Sequence, residues 1–494
     1  MTDNLRKSGI LMHISSLPSD YGIGSLGKSA YNFVDFLNSC GLKLWQILPL
    51  VPTGYGDSPY QSCCSYAFNQ YFIDLDILEN MNLLTKEDIL TATNNVEPID
   101  YEFLYHNRFN LLFKAFTRFK PSQEYADFLK VGKYHNYGVF MSIKQHHKGI
   151  SWDKWGLQYR NRDSVALSQF CLAQSKNIEF WEWTQYIFLQ QWFALKSYAN
   201  NLGVEIIGDM PIYVSYDSLE VWENPQMFLL DKERKPTVVA GCPPDYFSQS
   251  GQLWGNPIYD WEYIKQTNYK WWIDRINNAL KLFDYVRIDH FRGFANYYAI
   301  PYAETTAKCG KWLVGVGFDL FKDLLDKKII AEDLGQIDDD VKELVKQTNY
   351  PNMKVLEFAF DKDPANCHKP TNYNKNCVVY TGTHDNAPLA QFIKELSDKK
   401  EFYKQLKLQC EALGVKYSSN GYKNTIQTLI NLAYASRSNM VIIPLQDFLC
   451  QGKSSRMNLP STLSCLNWSY RTHKRDFSAN LSEYIRNISQ KYNR

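Results

Sequence analysis

The chain has 494 residues, enough for several ordinary domains or for one barrel with insertions. Its 54 Lys plus Arg nearly cancel 52 Asp plus Glu, leaving +2, so no sequence-wide positive field argues for nucleic acid or an anionic membrane as partner. Eleven cysteines, an odd number without a Cys-x-x-Cys pair, fit free thiols in a reducing compartment better than a disulfide framework or a zinc site, and the adjacent Cys63 and Cys64 are expected to stay reduced. The N-terminal stretch has only a very short apolar run, and nothing later approaches a membrane-spanning length, so the expectation is a soluble cytoplasmic protein.

In chain order, GILMHIS (9–15) is an apolar strand candidate, followed by the turn-rich SLPSDYGIGSLG. SAYNFVDFLNSCG (29–41) has helical apolar spacing and ends on a Gly suited to a helix C-cap; KLWQILPLV (43–51) then predicts a second strand, completing a βαβ unit. After TGYGDSPYQS (53–62), which is loop chemistry, the next comparable strand is far away. The intervening aromatic-rich, largely helical stretch is too long for a plain connection and predicts an inserted subdomain over 64–180 plus a barrel helix. His146 and His147 fall in it as a solvated pair.

VEIIGDMPIYV (204–214) repeats the pattern of an apolar run ending in an acid, Asp209. A loop-rich insertion, 215–268, is expected to form part of a substrate cleft, and WWIDRINNALKLF leads as a helix into DYVRIDHFR (284–292). In that strand Tyr285, Arg287 and Asp289 share one side while Val286, Ile288 and His290 share the other. KKIIAEDLG (327–335), MKVLEFAF (353–360), CVVYTGTHDN (377–386) and NMVIIPLQDFL (439–449) complete eight strand candidates. Mostly followed by helix-compatible segments, they predict a closed (β/α)8 TIM barrel, with 1–494 as a single catalytic domain.

Catalysis in such a barrel sits at the C-terminal strand ends, and acids recur there: Asp209, Asp289, Glu332 and Asp385. Two carboxyls of opposite protonation state flanking a bond are the equipment for glycoside chemistry. Asp289, beside Arg287, is the natural anion, whereas Glu332 follows Ile329, Ile330 and Ala331 with no base beside it, so burial can keep it protonated. Divalent-metal binding is the competing use of such acids, and Arg287 with the bulky aromatic loops speaks against it.

The motifs SLPSDYGIGSLG, LWQILPLVPTGYGDSPYQS, IIGDMPIYV, PPDYFSQSGQLWGNPIYDW, VRIDHFRG, AEDLG, TGTHDN, RMNLPST and NWSYR run from end to end, and by them the chain resembles the 4-α-glucanotransferases of glycoside hydrolase family 77, in the α-amylase clan. The resemblance implies retaining transfer of a 1,4-α-glucan segment to the 4-hydroxyl of an acceptor glucan or glucose, with no cofactor. Maltooligosaccharides or related glucans would be the partners. It also implies roles: Asp289 as nucleophile, Glu332 as acid/base, and Asp385, with His384 beside it, binding the donor sugar. Asp209 and Arg287 would hold nucleophile and sugar, Tyr60 would lie under the ring, Tyr246 and Phe247 would form a lid, and Trp254 and Asn256 would contact glucan. The chain departs from the family pattern at Ala387-Pro388 after THDN, at Ser461 and at Leu466. The alternatives are an α-amylase-type retaining hydrolase and a glucan-binding protein without chemistry.

Overall fold

The computed structural model describes residues 6–244, 249–335 and 337–494, with Tyr55 described by its backbone alone. Strands β1 (Lys7–Leu11), β2 (Leu44–Gln46), β3 (Glu205–Pro211), β4 (Val238–Cys242), β5 (Gln252–Pro257), β6 (Tyr285–Asp289), β7 (Asn296–Pro301), β8 (Lys311–Val314), β9 (Ile329–Ala331), β10 (Asn352–Val355), β11 (Cys377–Tyr380) and β12 (Met440–Pro444) follow in order. Eight of them close a parallel barrel, β1-β2-β3-β6-β9-β10-β11-β12 and back to β1. These are the eight segments that the apolar runs mark in the sequence.

The strands are shorter than their apolar runs. Residues 14–16 and 356–358 turn into single 3₁₀ turns, and 445–448 become a short helix, because the chain leaves the ladder where the barrel mouth splays open. Alternation then divides the side chains. Leu11, Leu44, Ile207, Ile330, Val378 and Ile442 fill the interior, whereas Ile10, Trp45, Val286, Ile288, Ile329 and Val441 face the surrounding helices. Each such buried side chain contributes roughly 1.5–3 kcal/mol relative to exposure.

Between β2 and β3 the chain forms helices Tyr101–Arg118, Gln123–Val131, His135–His146 and the long Ser175–Asn201. In the last, Ile178, Trp181, Gln185, Phe188, Trp192, Leu195 and Ala199 recur at alternating spacings of three and four, which gives one buried face. That helix also steadies the loop after β2: Gln185 accepts from Phe68 N (2.7 Å) and donates to Phe68 O (3.2 Å), and Gln191 accepts from Asp74 N (2.8 Å). It ends at Leu202, and Gly203 (φ 74°) turns the chain into β3. The expected solvated histidine pair is split: His146 is exposed, while His147 packs half-buried on Trp155, with ring centres 5.7 Å apart.

A second sheet, β5-β4-β7-β8, is antiparallel, and its β5 brings Trp254 against His290 at the end of β6. It joins the insertion after β3 to the segment after β6, so 215–268 contains two strands as well as loops. Among the described residues no helix is long and apolar enough to cross a membrane.

Candidate active site

The site is built where β3, β6, β9 and β11 end. Gly208 lets β3 pass close to Phe283, whose ring stands 2.1 Å from where a Cβ would be, and the next residue, Asp209, turns into the barrel. On β6, Arg287 points into the same space. Its Nη1 donates to both Asp209 oxygens (2.8 and 2.6 Å), and its Nη2 lies 2.9 Å from Asp289 Oδ1. Burial works against the Arg287 charge, but Asp209 and then Asp289 more than offset it, so the guanidinium stays charged.

Asp289 keeps 27 % of its side-chain surface open, whereas Asp209 has none, so the two carboxylates sharing one arginine divide into an exposed one and a sealed one. Burial raises the Asp289 carboxyl above its ordinary range, and Arg287 opposes that rise. An ion pair this close holds the anion at neutral pH.

β6 ends abruptly. His290 takes a left-handed conformation (φ 53°), a strained one for a residue other than glycine, and its N–H turns toward β9 to donate to Glu332 Oε2 (2.6 Å). Leu334 N donates to the other oxygen (2.9 Å), and Phe291 N donates to the Glu332 carbonyl (2.9 Å). The acid is therefore fixed directly against the residue that follows Asp289. Burial, helped by the neighbouring Asp289 charge, pushes the Glu332 carboxyl up to about 8, against about 6 for Asp289; Arg287 and the two N–H donors oppose this without cancelling it. Alternation separates Glu332 from its neighbour Asp333, which ties β9 to β10 by accepting from Met353 N (3.0 Å) and Asn352 Nδ2 (2.8 Å).

After β11 the chain forms the TGTHDN loop. His384 is buried, its ring stacked on Tyr60 (5.1 Å, 15°), and Trp468 leans on both rings (5.9 and 5.5 Å). Tyr60 donates its hydroxyl to Asp209 Oδ2 (2.7 Å), so burial and then Asp209 hold it protonated. Asp385 is open, with 46 % of its side chain exposed, and lies 3.5 Å from His384 Nε2. Its Oδ1 accepts from Asn458 Nδ2 (2.7 Å), and Arg456 donates to its backbone oxygen (2.7 Å).

Of the residues singled out from sequence, Tyr60, Asp209, Arg287, Asp289, Glu332, His384 and Asp385 thus meet at one barrel mouth. Trp254, on β5, stands edge-on to His290 with ring centres 4.8 Å apart. Asn256 is buried and bonded at both ends of its amide, accepting from Gln61 Nε2 (3.1 Å) and donating to Val214 O (2.9 Å), which makes it a tie between loops. Tyr246 and Phe247 lie outside the described residues. Sequence reasoning gave no part to His290, Arg456, Asn458 and Trp468; the last three lie in the RMNLPST and NWSYR motifs, whose density of Asn, Arg and Trp was the available signal.

The family described as 4-alpha-glucanotransferase matches residues 12–477 of the chain. A 4-alpha-glucanotransferase of Clostridium butyricum is 43% identical over 498 residues, covering 98% of this chain and 100% of that one. One from Thermus thermophilus is 40% identical over 480 residues and covers 94% of each. Among solved structures, the amylomaltase from Streptococcus agalactiae in complex with acarbose superposes with a TM-score of 0.93 at 40% identity, covering 99% of both chains. The match spans the barrel, its insertions and every strand end at which the acids meet, and the chain belongs to the 4-alpha-glucanotransferase family.

Proposed function

We propose that the chain carries out its family's reaction, transfer of a 1,4-α-glucan segment, by double displacement at Asp289 and Glu332. The observation that carries this is the direct tie between them: the backbone of the residue after Asp289 bonds the buried Glu332 carboxyl (2.6 Å), while Arg287 holds Asp289 from the other side (2.9 Å). Burial keeps Glu332 neutral and enclosed while Arg287 keeps the more open Asp289 charged, which is the division of labour that retaining glycoside cleavage requires.

In the first step Glu332 gives its proton to the glycosidic oxygen as the C1–O bond breaks. An Asp289 oxygen forms a bond to C1 from the opposite face, and the shortened glucan leaves as an alcohol. In the second step the Glu332 carboxylate takes the proton of an acceptor 4-hydroxyl, whose oxygen attacks C1 and expels Asp289. Two inversions restore the α-linkage. Asp385 and His384 bind the donor ring's hydroxyls, Tyr60 supplies the flat surface beneath it, and Asp209 holds Arg287 so that Asp289 is aimed. Trp254 walls the acceptor side, and Asn256 keeps that wall in place.

Maltooligosaccharides or longer 1,4-α-glucans are the substrates in this reading, with the cytoplasm as the site of action. Incubation with maltotriose tests it: glucose together with longer maltodextrins, without net gain of reducing ends, supports transfer. A net gain in reducing ends would make the chain a hydrolase, and an unchanged sugar profile would make it a binder.

A further inference from the structure

Behind the Asp385 loop lies a layer of carboxyls that the reaction does not use. Glu357 sits in the 3₁₀ turn Leu356–Phe358 that leaves β10, and Asp447 in the helix Leu445–Phe448 that follows β12. Asp447 is fully partnered: it accepts from Thr381 Oγ1 (2.5 Å) and from Leu389 N (2.7 Å), supplying an acceptor to the first turn of the helix Leu389–Glu395, at whose start Pro388 brings none. Glu357 is not. Its Oε2 accepts from Asn386 Nδ2 (3.0 Å), but its Oε1 is sealed from solvent without a partner, facing Gly382.

A sealed, unpartnered carboxylate oxygen beside a second acid is expensive, and protonation removes the cost. Burial and then Asp447 push the Glu357 carboxyl well above its ordinary range, and Asn386 and Arg456, which also face it, do not reverse this. The neutral acid still serves Asn386 as an acceptor.

From Asn386 the bonds run to the catalytic loop. Asn386 Oδ1 accepts from Thr383 N (2.9 Å) and Thr383 Oγ1 (2.8 Å), and Thr383 Oγ1 accepts from Asp385 N (3.3 Å). A small cavity of about 20 Å³, room for about one water, lies beside the loop and is lined among others by Gly382, Thr383, Asn386, Ala387 and Pro388, while His384 packs on Tyr60 and Trp468. His384 is thus held by ring packing, and the Thr383 and Asn386 part of the loop by polar ties.

We propose that Glu357 is a positioning residue for the transfer reaction, setting through Asn386 the loop that presents Asp385 to the donor sugar. The inference rests on the reading of Asp385 given above. Because the tie needs an acceptor and no charge, Gln should replace Glu357, whereas Ala should leave Asn386 Nδ2 without its acceptor and the loop less firmly set.

The test compares Glu357→Ala, Glu357→Gln, Asn386→Ala and Asp385→Asn for kcat, KM and pH profile on maltotriose, with Tm measured alongside. Glu357→Ala should lower kcat about 10- to 100-fold, as small displacements of positioned groups do. Its KM should change by less than about threefold, since the contact matters most in the transition state. Glu357→Gln should stay within about threefold of the parent and overlay its pH profile. Should Glu357→Ala fail to fold, Asn386→Ala carries the same expectation. A Glu357→Ala enzyme of normal kcat, or a Glu357→Gln enzyme as impaired as the alanine variant, overturns the proposal. If Asp385→Asn itself turns over normally, the underlying reading of Asp385 is wrong; if only Asp385→Asn is impaired, that reading stands and the role of Glu357 falls.

Discussion

The carboxyls at the mouths of β6 and β9 are carried by the barrel, whereas Asp385 at the mouth of β11 is carried by a loop. Asp289 is the last residue of its strand and Glu332 the first after its own, and adjacent ladder bonds fix both. Asp385 stands five residues beyond the end of β11 and relies on Asn458, Arg456 and Asn386. The difference follows the chemistry: bond-making groups tolerate little displacement, while a group that grips sugar hydroxyls gains from reach.

Substitutions at the strand ends should therefore cost far more than substitutions in the loop's supports. Asp289→Asn removes the covalent partner and should lower kcat on the order of 10⁴-fold or more while leaving the far-UV circular dichroism unchanged. Near-normal turnover in that variant would dissolve the contrast altogether.

Glu332→Gln should be nearly as damaging with maltotriose, but selectively so. From a glucosyl fluoride the leaving group is fluoride ion, which needs no proton from an acid, so the first step should recover in this variant, and pre-steady-state fluoride release measures it. Equal impairment with both donors would remove Glu332 from the acid role.

The pH profile sharpens the same contrast. Burial raises both carboxyls, Glu332 the more, and turnover needs Glu332 protonated and Asp289 ionised. The sign follows: kcat/KM should fall as pH rises through the Glu332 value and again as pH falls through the Asp289 value. With fluoride donors the alkaline limb should disappear in Glu332→Gln; its persistence would assign that limb to another group. Smallest among these effects, Asn458→Ala should lower kcat about tenfold by freeing one Asp385 oxygen, with little change in Tm. A loss as large as that of Asp289→Asn would mean that the loop is as intolerant as the strands.

The contrast also explains what the sequence could and could not reveal. All eight barrel strands are legible because each is an apolar run buried on both faces, and Asp209, Asp289 and Glu332 stand out as acids that break those runs. In the β5-β4-β7-β8 sheet the two edge strands are illegible for the opposite reason: all four residues of β8 are exposed, and β5 contains Gly255, Asn256 and Pro257, which read as loop; β4 and β7 are buried apolar runs that the sequence reading leaves inside the connections. Asn458 lies 73 residues from Asp385, and Glu357 lies 29 from Asn386, so neither tie leaves a local pattern. The tie from His290 to Glu332 is made by a backbone N–H, which any residue but proline would supply, and sequence carries no trace of it.

The most direct test of the central claim is to trap the intermediate. Glu332→Gln treated with a maltosyl fluoride should be glycosylated quickly and released slowly, since the base for the second step is missing. Intact-mass spectrometry should then show one maltosyl adduct per chain, and peptide mapping should place it on Asp289. An adduct on another residue, or fluoride release at the full rate with no adduct on the protein at any time, would contradict a nucleophilic Asp289.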